Sequence, residues 1–457
     1  MTTDKPMEKT RPKKSLSPRE SAALDLLAWH LNGKIDYRHR SDLNSPQNYA
    51  LYRNLVSSVI RYRDIYYFFI RTLTGRSIEK LDPEVVVCLM LGLAQMDELS
   101  GIHDHAAVNE TVNLISFLRK PHLKGFINGN LRSFLRKKAD LNIQLAKQPL
   151  SVQSSHPDWM VNSWVSQYGQ AVTEETCIAN NRQPKVRIVL NPAFDREKIE
   201  ADLESRYEII ERHAEGFTVA NPAGLFDTRW VDEGAFLVQD SSSQQINHLI
   251  EPLPKTCVLD ACAAPGGKLF HMEWRFGIQI KQLVAIELSE QRLLRLKANQ
   301  KRYRSRSILV RMDATCPALK SCFDLIVIDA PCSATGTIQK HPEVKWQRTR
   351  NDVLQNQQKQ LSILTAMKNV VKENGYILYV TCSLEKEENQ DVIQKFLENE
   401  SRTFRQVPFS PAQADERMLT RDGFYQCLPG EFTMGLFAAL LQKKDMNERL
   451  ASPSEST

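Results

Sequence analysis

The chain has 457 residues, 42% of them hydrophobic and 25% charged, a composition that excludes a disordered or fibrous protein and a length too great for one ordinary core. The net charge is only +6, but residues 1–150 hold 23 Lys+Arg against 15 Asp+Glu and leave −2 for the rest. A basic front on a near-neutral remainder points to a polyanion held at one end.

Residues 1–16, rich in Lys, Pro, Thr and Ser, read as a disordered tail. They lack the apolar core of a secretory signal, and the longest uncharged apolar run, about 85–96, is too short to span a bilayer. An all-α domain of about six helices is expected over 17–145. It opens at Ser17-Pro18-Arg19-Glu20, an N-cap followed by proline and an early acid, and Asp82-Pro83-Glu84 repeats the signal. Its last part, 117–138, carries seven Lys/Arg and no acid. There Phe126, Ile127, Leu131 and Leu135 supply a core face, Asn128-Gly129-Asn130 marks a tight turn or helix start, and the cations suit phosphate contact.

A mixed α+β connector follows over 146–235, with a helix from His156-Pro157-Asp158 to about 168, a strand at 186–190 and a helix near 195–206. From 236 to 443 strands alternate with helices: strands at 257–260, 283–286, 308–311, 325–328 and 376–380, helices near 290–301, 351–372 and 387–398. A late antiparallel strand is expected at 436–441. This pattern predicts a Rossmann-like, doubly wound α/β sheet. The tail 444–457 is expected to be disordered.

Each strand end of this segment carries chemistry. Asp260-Ala261-Cys262-Ala263-Ala264-Pro265-Gly266-Gly267-Lys268 reads as strand, tight loop and helix start, neither a GxGxxG fingerprint nor a Walker loop. Glu287 ends the next strand twenty residues after Gly267, where an acid binds a ribose diol. Asp313 and Asp329 follow the third and fourth strands. Any single acid could merely cap a helix; three in register fit an adenosine ligand without phosphate, S-adenosyl-L-methionine.

Cys332 and Cys382 also stand at strand carboxyl ends, in DAPCS and VTCS. Carbon-5 of cytosine is too weak a nucleophile to take a sulfonium methyl unaided. A thiolate adding at carbon-6 makes it an enamine, an acid such as Asp329 near N3 stabilises the adduct, and a second thiol can assist release. An exocyclic-amine methylase would carry a second proline and an aromatic where this chain has Ala330 and Cys332. The other seven cysteines, with no CxxC pair, fit neither a zinc ribbon nor a disulfide framework. Cys88, Cys177, Cys257, Cys316, Cys322 and Cys427 are read as inert buried thiols. No metal is expected, and the protein is read as reduced and cytoplasmic.

DACAAPGGK (260–268), DAPCSATG (329–336) with HPEVKW (341–346), and TCS with EEN (381–383, 387–389) resemble the Sun-type family of RNA cytosine-C5 methyltransferases. AVNETV (107–112) and INGNLR (127–132) resemble the NusB-like domain of its bacterial branch, which methylates a cytosine, position 967, in the decoding region of 16S ribosomal RNA. The residues alone leave the division of labour between the thiols open. The resemblance implies that Cys382 is the nucleophile and Cys332 serves product release, with Asp329 and Lys268 beside them. It also implies that Cys262, Ala263, Ala264, Pro265, Gly266, Gly267, Lys268, Glu287, Arg292, Asp313 and Asp329 hold the cofactor. Arg119, Lys120, Lys124, Arg132, Arg136, Lys340 and Lys345 are the expected RNA contacts of a monomeric enzyme. Eight more cations without an acid lie in 292–311. The chain departs from the family at Leu269, where Thr or Ser is common, at Glu287, where Asp is common, and at MGLF (434–437) in place of Gly-Phe-Phe. The rival readings are a non-catalytic assembly factor with a vestigial methylase fold, a cytosine-C5 methylase acting on another RNA, and a DNA methylase using only Cys332.

Overall fold

A computed structural model of the protein describes residues 16–37, 43, 45–98 and 103–451; the expected tails at 1–15 and 452–457 lie outside the described residues. The chain folds as two compact units, Met1–Ser155 and His156–Thr457. Residues 446–451 of the expected tail are helical instead, because Asp445 Oδ1 accepts from Glu448 N at 2.7 Å and so caps a helix start.

Six α-helices of the first unit are Pro18–Asn32, Pro46–Arg61, Arg63–Thr74, Pro83–Asp97, Asp104–Phe117 and Lys124–Leu145. Ser17 caps the first of them in a complete capping box with Glu20, worth about 1 kcal/mol. Pro83–Asp97 is buried on every side from Val85 to Met96 and is the central helix of the unit. At Gly92 a Cβ would come 2.7 Å from Leu131 Cδ2, so the absent side chain lets Lys124–Leu145 approach. That last helix runs unbroken through Asn128-Gly129-Asn130, correcting the expected turn. Burial of Ile127, Leu131 and Phe134 on its inner face outweighs the cost of an exposed mid-helix glycine, about 1 kcal/mol. The unit extends past the expected boundary at 145 through a short helix, Leu150–Ser154, tied back where Ser155 Oγ accepts from Asp64 N at 3.0 Å.

The second unit contains two sheets. The smaller has the order β2–β3–β1–β4, with β1 Val186–Leu190, β2 Ile209–His213, β3 Gly216–Val219 and β4 Phe236–Val238. β4 pairs antiparallel with β1, so residues 236–238 complete the connector sheet where the sequence reading opened the next segment. Backbone pairing overrides a boundary placed at the helix-cap signal after β4.

The larger sheet contains β5 Cys257–Ala261, β6 Gln282–Glu287, β7 Ile308–Arg311, β8 Phe323–Asp329, β9 Val371–Thr381, β10 Phe404–Val407, β11 Tyr425–Cys427 and β12 Leu436–Lys443. Its order is β10–β12–β9–β8–β5–β6–β7, with β11 on β12. β7, β6, β5, β8 and β9 run parallel, and β12 returns antiparallel between β9 and β10. This is the expected Rossmann-like sheet with its late antiparallel strand. β8 shows why the run at 323–329 reads as a central strand: Leu325 and Val327 enter one apolar layer, Ile326 and Ile328 the other. Two buried faces require apolar residues at successive positions.

β9 begins at Val371, inside the helix expected to reach 372; the helix Arg350–Met367 stops four residues earlier. Leu269 is fully buried in the layer under β5, so the departure from Thr or Ser adds to the core. MGLF takes a defined register, with Phe437 opposite Thr381.

Candidate active site

The strand order reverses at β5, whose neighbours are β8 on one side and β6 on the other. Loops leaving the carboxyl ends of parallel strands on either side of such a point splay apart and leave a crevice. Here the crevice is a cleft of about 230 Å³. Cys262, Glu287, Arg292, Asp313, Asp329, Cys332 and Cys382 all line it. Of the other expected cofactor residues, Ala263 and Ala264 are buried, while Pro265 and Gly267 line a separate recess. Lys359, unremarked in the sequence reading, also lines the cleft.

The loop after β5 holds its shape by unusual backbone conformations. Cys262 and Gly266 both have positive φ, 69° and 105°, and a Cβ at Gly266 would meet Phe270 at 2.2 Å. Arg292 Nη2 donates to Ala264 O at 2.5 Å and braces the loop. Two carboxyl oxygens nearby lack a hydrogen-bond donor: Glu287 Oε2 and Asp260 Oδ1. The nearest cation to Glu287 Oε2, Arg292 Nη2, stands 3.5 Å away. Burial, then Asp329 and Glu287, drive the Asp260 carboxyl well above the ordinary range against the pull of Lys268. Buried acceptors without donors suit a ligand bearing hydroxyls or an ammonium group.

Lys268, at the start of the helix Gly267–Phe276, donates from Nζ to Asp329 Oδ2 at 2.7 Å. Burial alone would lower its pKa, but Asp329, then the charges of Cys382 and Asp240, hold it above the ordinary value. The ammonium form is thus favoured, with the Cys382 charge adding to that preference.

Cys332 Sγ and Cys382 Sγ are 3.3 Å apart. The hydrogen bond to Cys382, then burial, holds the Cys332 thiol well above its usual pKa, and the Cys382 and Glu388 charges add to this. Glu388, buried completely, fixes the two thiol loops together. Its Oε1 accepts from Ser333 N at 2.7 Å and its Oε2 from Ser333 Oγ; Ser333 Oγ in turn lies 3.1 Å from Ser383 Oγ. Gly336 N donates to Cys382 O at 2.9 Å, and Leu384 N to Thr335 Oγ1 at 2.9 Å. The expected helix at 387–398 accordingly starts only at Gln390. Glu387 and Glu388 are drawn into a 3₁₀ turn by these contacts. Only the pairing of loops distant in sequence gives Glu388 a role; the EEN motif alone does not.

Glu385 is a second buried acid on the Cys382 loop. It accepts from Trp164 Nε1 at 2.9 Å and Ser163 Oγ at 3.0 Å. Burial pushes its pKa up to about 7 against those hydrogen bonds, with Glu387 and Glu388 adding to the rise. An acid raised in the folded state stabilises fully below its ordinary value of 4.5 and loses that contribution as pH rises through about 7, at most about 3 kcal/mol. Thermal unfolding is thus expected at a lower Tm at pH 8 than at pH 5, with Glu385→Gln flattening the difference; an unchanged difference in that variant would refute the assignment.

Among the expected RNA contacts, Lys124, Arg132 and Arg136 are exposed on the helix Lys124–Leu145, and Arg119 is exposed before it. Lys120 is half-buried and paired with Asp82 at 2.7 Å. Lys340 Nζ lies 3.5 Å from Asp240 Oδ2. Lys345 is a correction: it is fully buried and donates to Asn181 Oδ1 at 2.6 Å, a structural ammonium rather than a surface one. Cys316 and Cys322 are exposed, not buried as expected. Among the described residues no helix is long and apolar enough to cross a membrane.

A Rossmann-like sheet with a glycine loop and acids at successive strand ends is the class of fold that methyltransferases use, and two thiols converge at its cleft. The NusB family profile matches residues 17–136, and that of the 16S rRNA methyltransferase RsmB/F family matches residues 247–442. The chain is 32% identical to ribosomal RNA small subunit methyltransferase B of Proteus mirabilis over 88% of its own length and 92% of that protein. It is 34% identical to the Pasteurella multocida protein of the same name over 76% and 77% of the two chains. The chain belongs to the RsmB/F methyltransferase family. Two solved structures share the fold: PH0851, with TM-score 0.73 and 22% identity over 94% of this chain and 99% of that one, and a methyltransferase homologue from Pyrococcus horikoshii, with TM-score 0.53 and 24% identity over 64% and 97%.

Proposed function

We propose that this methyltransferase modifies carbon-5 of a cytosine in 16S ribosomal RNA, through a covalent bond between Cys382 and carbon-6. The observation that carries this reading is the 3.3 Å approach of the two sulfurs beside the Lys268–Asp329 pair. S-adenosyl-L-methionine, when bound, supplies an electrophilic methyl group. Glu287 suits its ribose hydroxyls and Asp313 its adenine amino group, with the glycine loop alongside.

The target base must leave its stack to enter the cleft. Asp329 then accepts from the exocyclic amine, and the Lys268 ammonium donates toward the N3–O2 edge, where negative charge develops on addition. Cys382 adds as the thiolate to carbon-6 and makes carbon-5 nucleophilic. Once Cys382 is a thioether, its hydrogen bond and charge no longer hold the proton on Cys332. With the methyl group on carbon-5, Cys332 gives its proton to water and takes the carbon-5 proton; the electrons of that C–H bond expel Cys382 as the thiolate and re-form the aromatic ring.

The exposed Lys124, Arg132 and Arg136, with Arg119, contact phosphates of the same RNA. The relatives' names support a small-subunit ribosomal RNA substrate, and position 967 is the target that the family resemblance implies. Such an enzyme acts in the cytoplasm as a monomer.

The test is methylation of 16S ribosomal RNA with labelled S-adenosyl-L-methionine, nucleoside analysis and bisulfite mapping. 5-Methylcytidine at one position is expected. N4-methylcytidine, or label only in DNA, would overturn the reading.

A further inference from the structure

A second recess lies on the other side of the glycine loop from the thiol cleft, in the same unit. We propose that it holds one unstacked nucleotide of the RNA strand that flanks the target base; this rests on the RNA reading above. The recess measures about 230 Å³. Its rim is apolar: Phe226 is 54% exposed and Val238 40% exposed, and Tyr303 lines it with them. An exposed aromatic beside a guanidinium is a stacking platform for a nucleobase, tolerant of base identity.

The guanidinium is that of Arg302, whose Nη1 lies 3.4 Å from Asn299 Oδ1; no acid lines the recess. Both residues belong to the helix Glu290–Tyr303, where Arg295, Lys297 and Lys301 are also exposed. A charge of this sign favours a polyanion over an apolar peptide or a second copy of a basic chain.

Position ties the recess to the reaction. Its floor includes Pro265 and Gly267, directly before Lys268, which pairs with Asp329 in the thiol cleft. Asn299 Nδ2 donates to Pro265 O at 2.9 Å, so the recess and the loop are mechanically joined. A base-flipping enzyme gains sequence context by holding the nucleotides beside the target, and this recess is suited to that hold.

Phe226→Ala and Arg302→Gln in the full-length chain test the proposal, because Phe226 is exposed and its removal leaves the core intact. Phe226→Ala is expected to raise KM for a 16S ribosomal RNA fragment about tenfold. KM for S-adenosyl-L-methionine and Tm should not change, and Phe226→Trp should restore affinity. Arg302→Gln is expected to weaken RNA binding and to lower its salt dependence by about one ion. An unchanged KM for RNA in both variants, or a change only in oligomeric state, would overturn it. If instead the wild-type protein neither binds nor methylates RNA, the functional reading itself fails, a result distinct from variants that methylate as well as wild type.

Discussion

Cys382→Ala is expected to lose methyl transfer by about 10⁴-fold or more, the scale on which removal of a covalent nucleophile acts. Without the sulfur, carbon-5 of the base never becomes nucleophilic, so neither cofactor binding nor RNA binding can compensate. Both affinities should survive, because Lys268, Asp329 and Glu287 remain. Cys332→Ala should behave differently. Addition by Cys382 is still available to it, but the carbon-5 proton has no nearby base, and a covalent protein–RNA species should accumulate that resists denaturant in gel electrophoresis. The pair of outcomes separates the roles. Normal turnover by Cys382→Ala, or a trapped adduct in that variant instead of in Cys332→Ala, would reverse the assignment.

Glu388→Ala is expected to cost about 2–4 kcal/mol of stability, because it leaves Ser333 N as a buried donor without an acceptor and takes from Ser333 Oγ its carboxylate partner. The larger effect falls on catalysis. Glu388 is the group that binds the Cys332 loop to the Cys382 loop, through Ser333 and Ser383. Release of that tie lets the 3.3 Å sulfur spacing relax, and a displacement of about 1 Å at reacting groups lowers kcat by about 10²-fold. KM for the cofactor should hold, since Glu388 does not line the cleft. Glu388→Gln keeps one acceptor and should lose much less of both. If Glu388→Ala lost stability while kcat stayed at the wild-type value, Glu388 would be a core residue with no positioning role.

Much of this was legible because strand ends announce themselves. The run at 323–329 is apolar at successive positions because both faces of β8 are covered, and the loop after it must carry its polar residues outward. Cys332, Asp329, Glu287, Asp313 and Cys262 were therefore readable as residues of one cleft before any coordinates. So was the capping box at Ser17 and Glu20, a local motif that needs no distant partner. The turn expected at Asn128-Gly129-Asn130 failed for the opposite reason: local propensity is worth about 1 kcal/mol there, less than the burial of Ile127, Leu131 and Phe134. Lys345 failed similarly, since a lysine in a basic stretch looks exposed until the fold closes over it.

By itself, the sequence determined the class of sheet, the strand ends that carry the chemistry and the presence of two thiols among them, because these depend on periodicity and on neighbours along the chain. Tertiary structure alone decided that the thiols meet at 3.3 Å, that Glu388 ties their loops, that Lys268 pairs with Asp329, and that β4 belongs to the smaller sheet. Each of these joins segments far apart in the sequence, and only packing brings such segments within reach of a hydrogen bond.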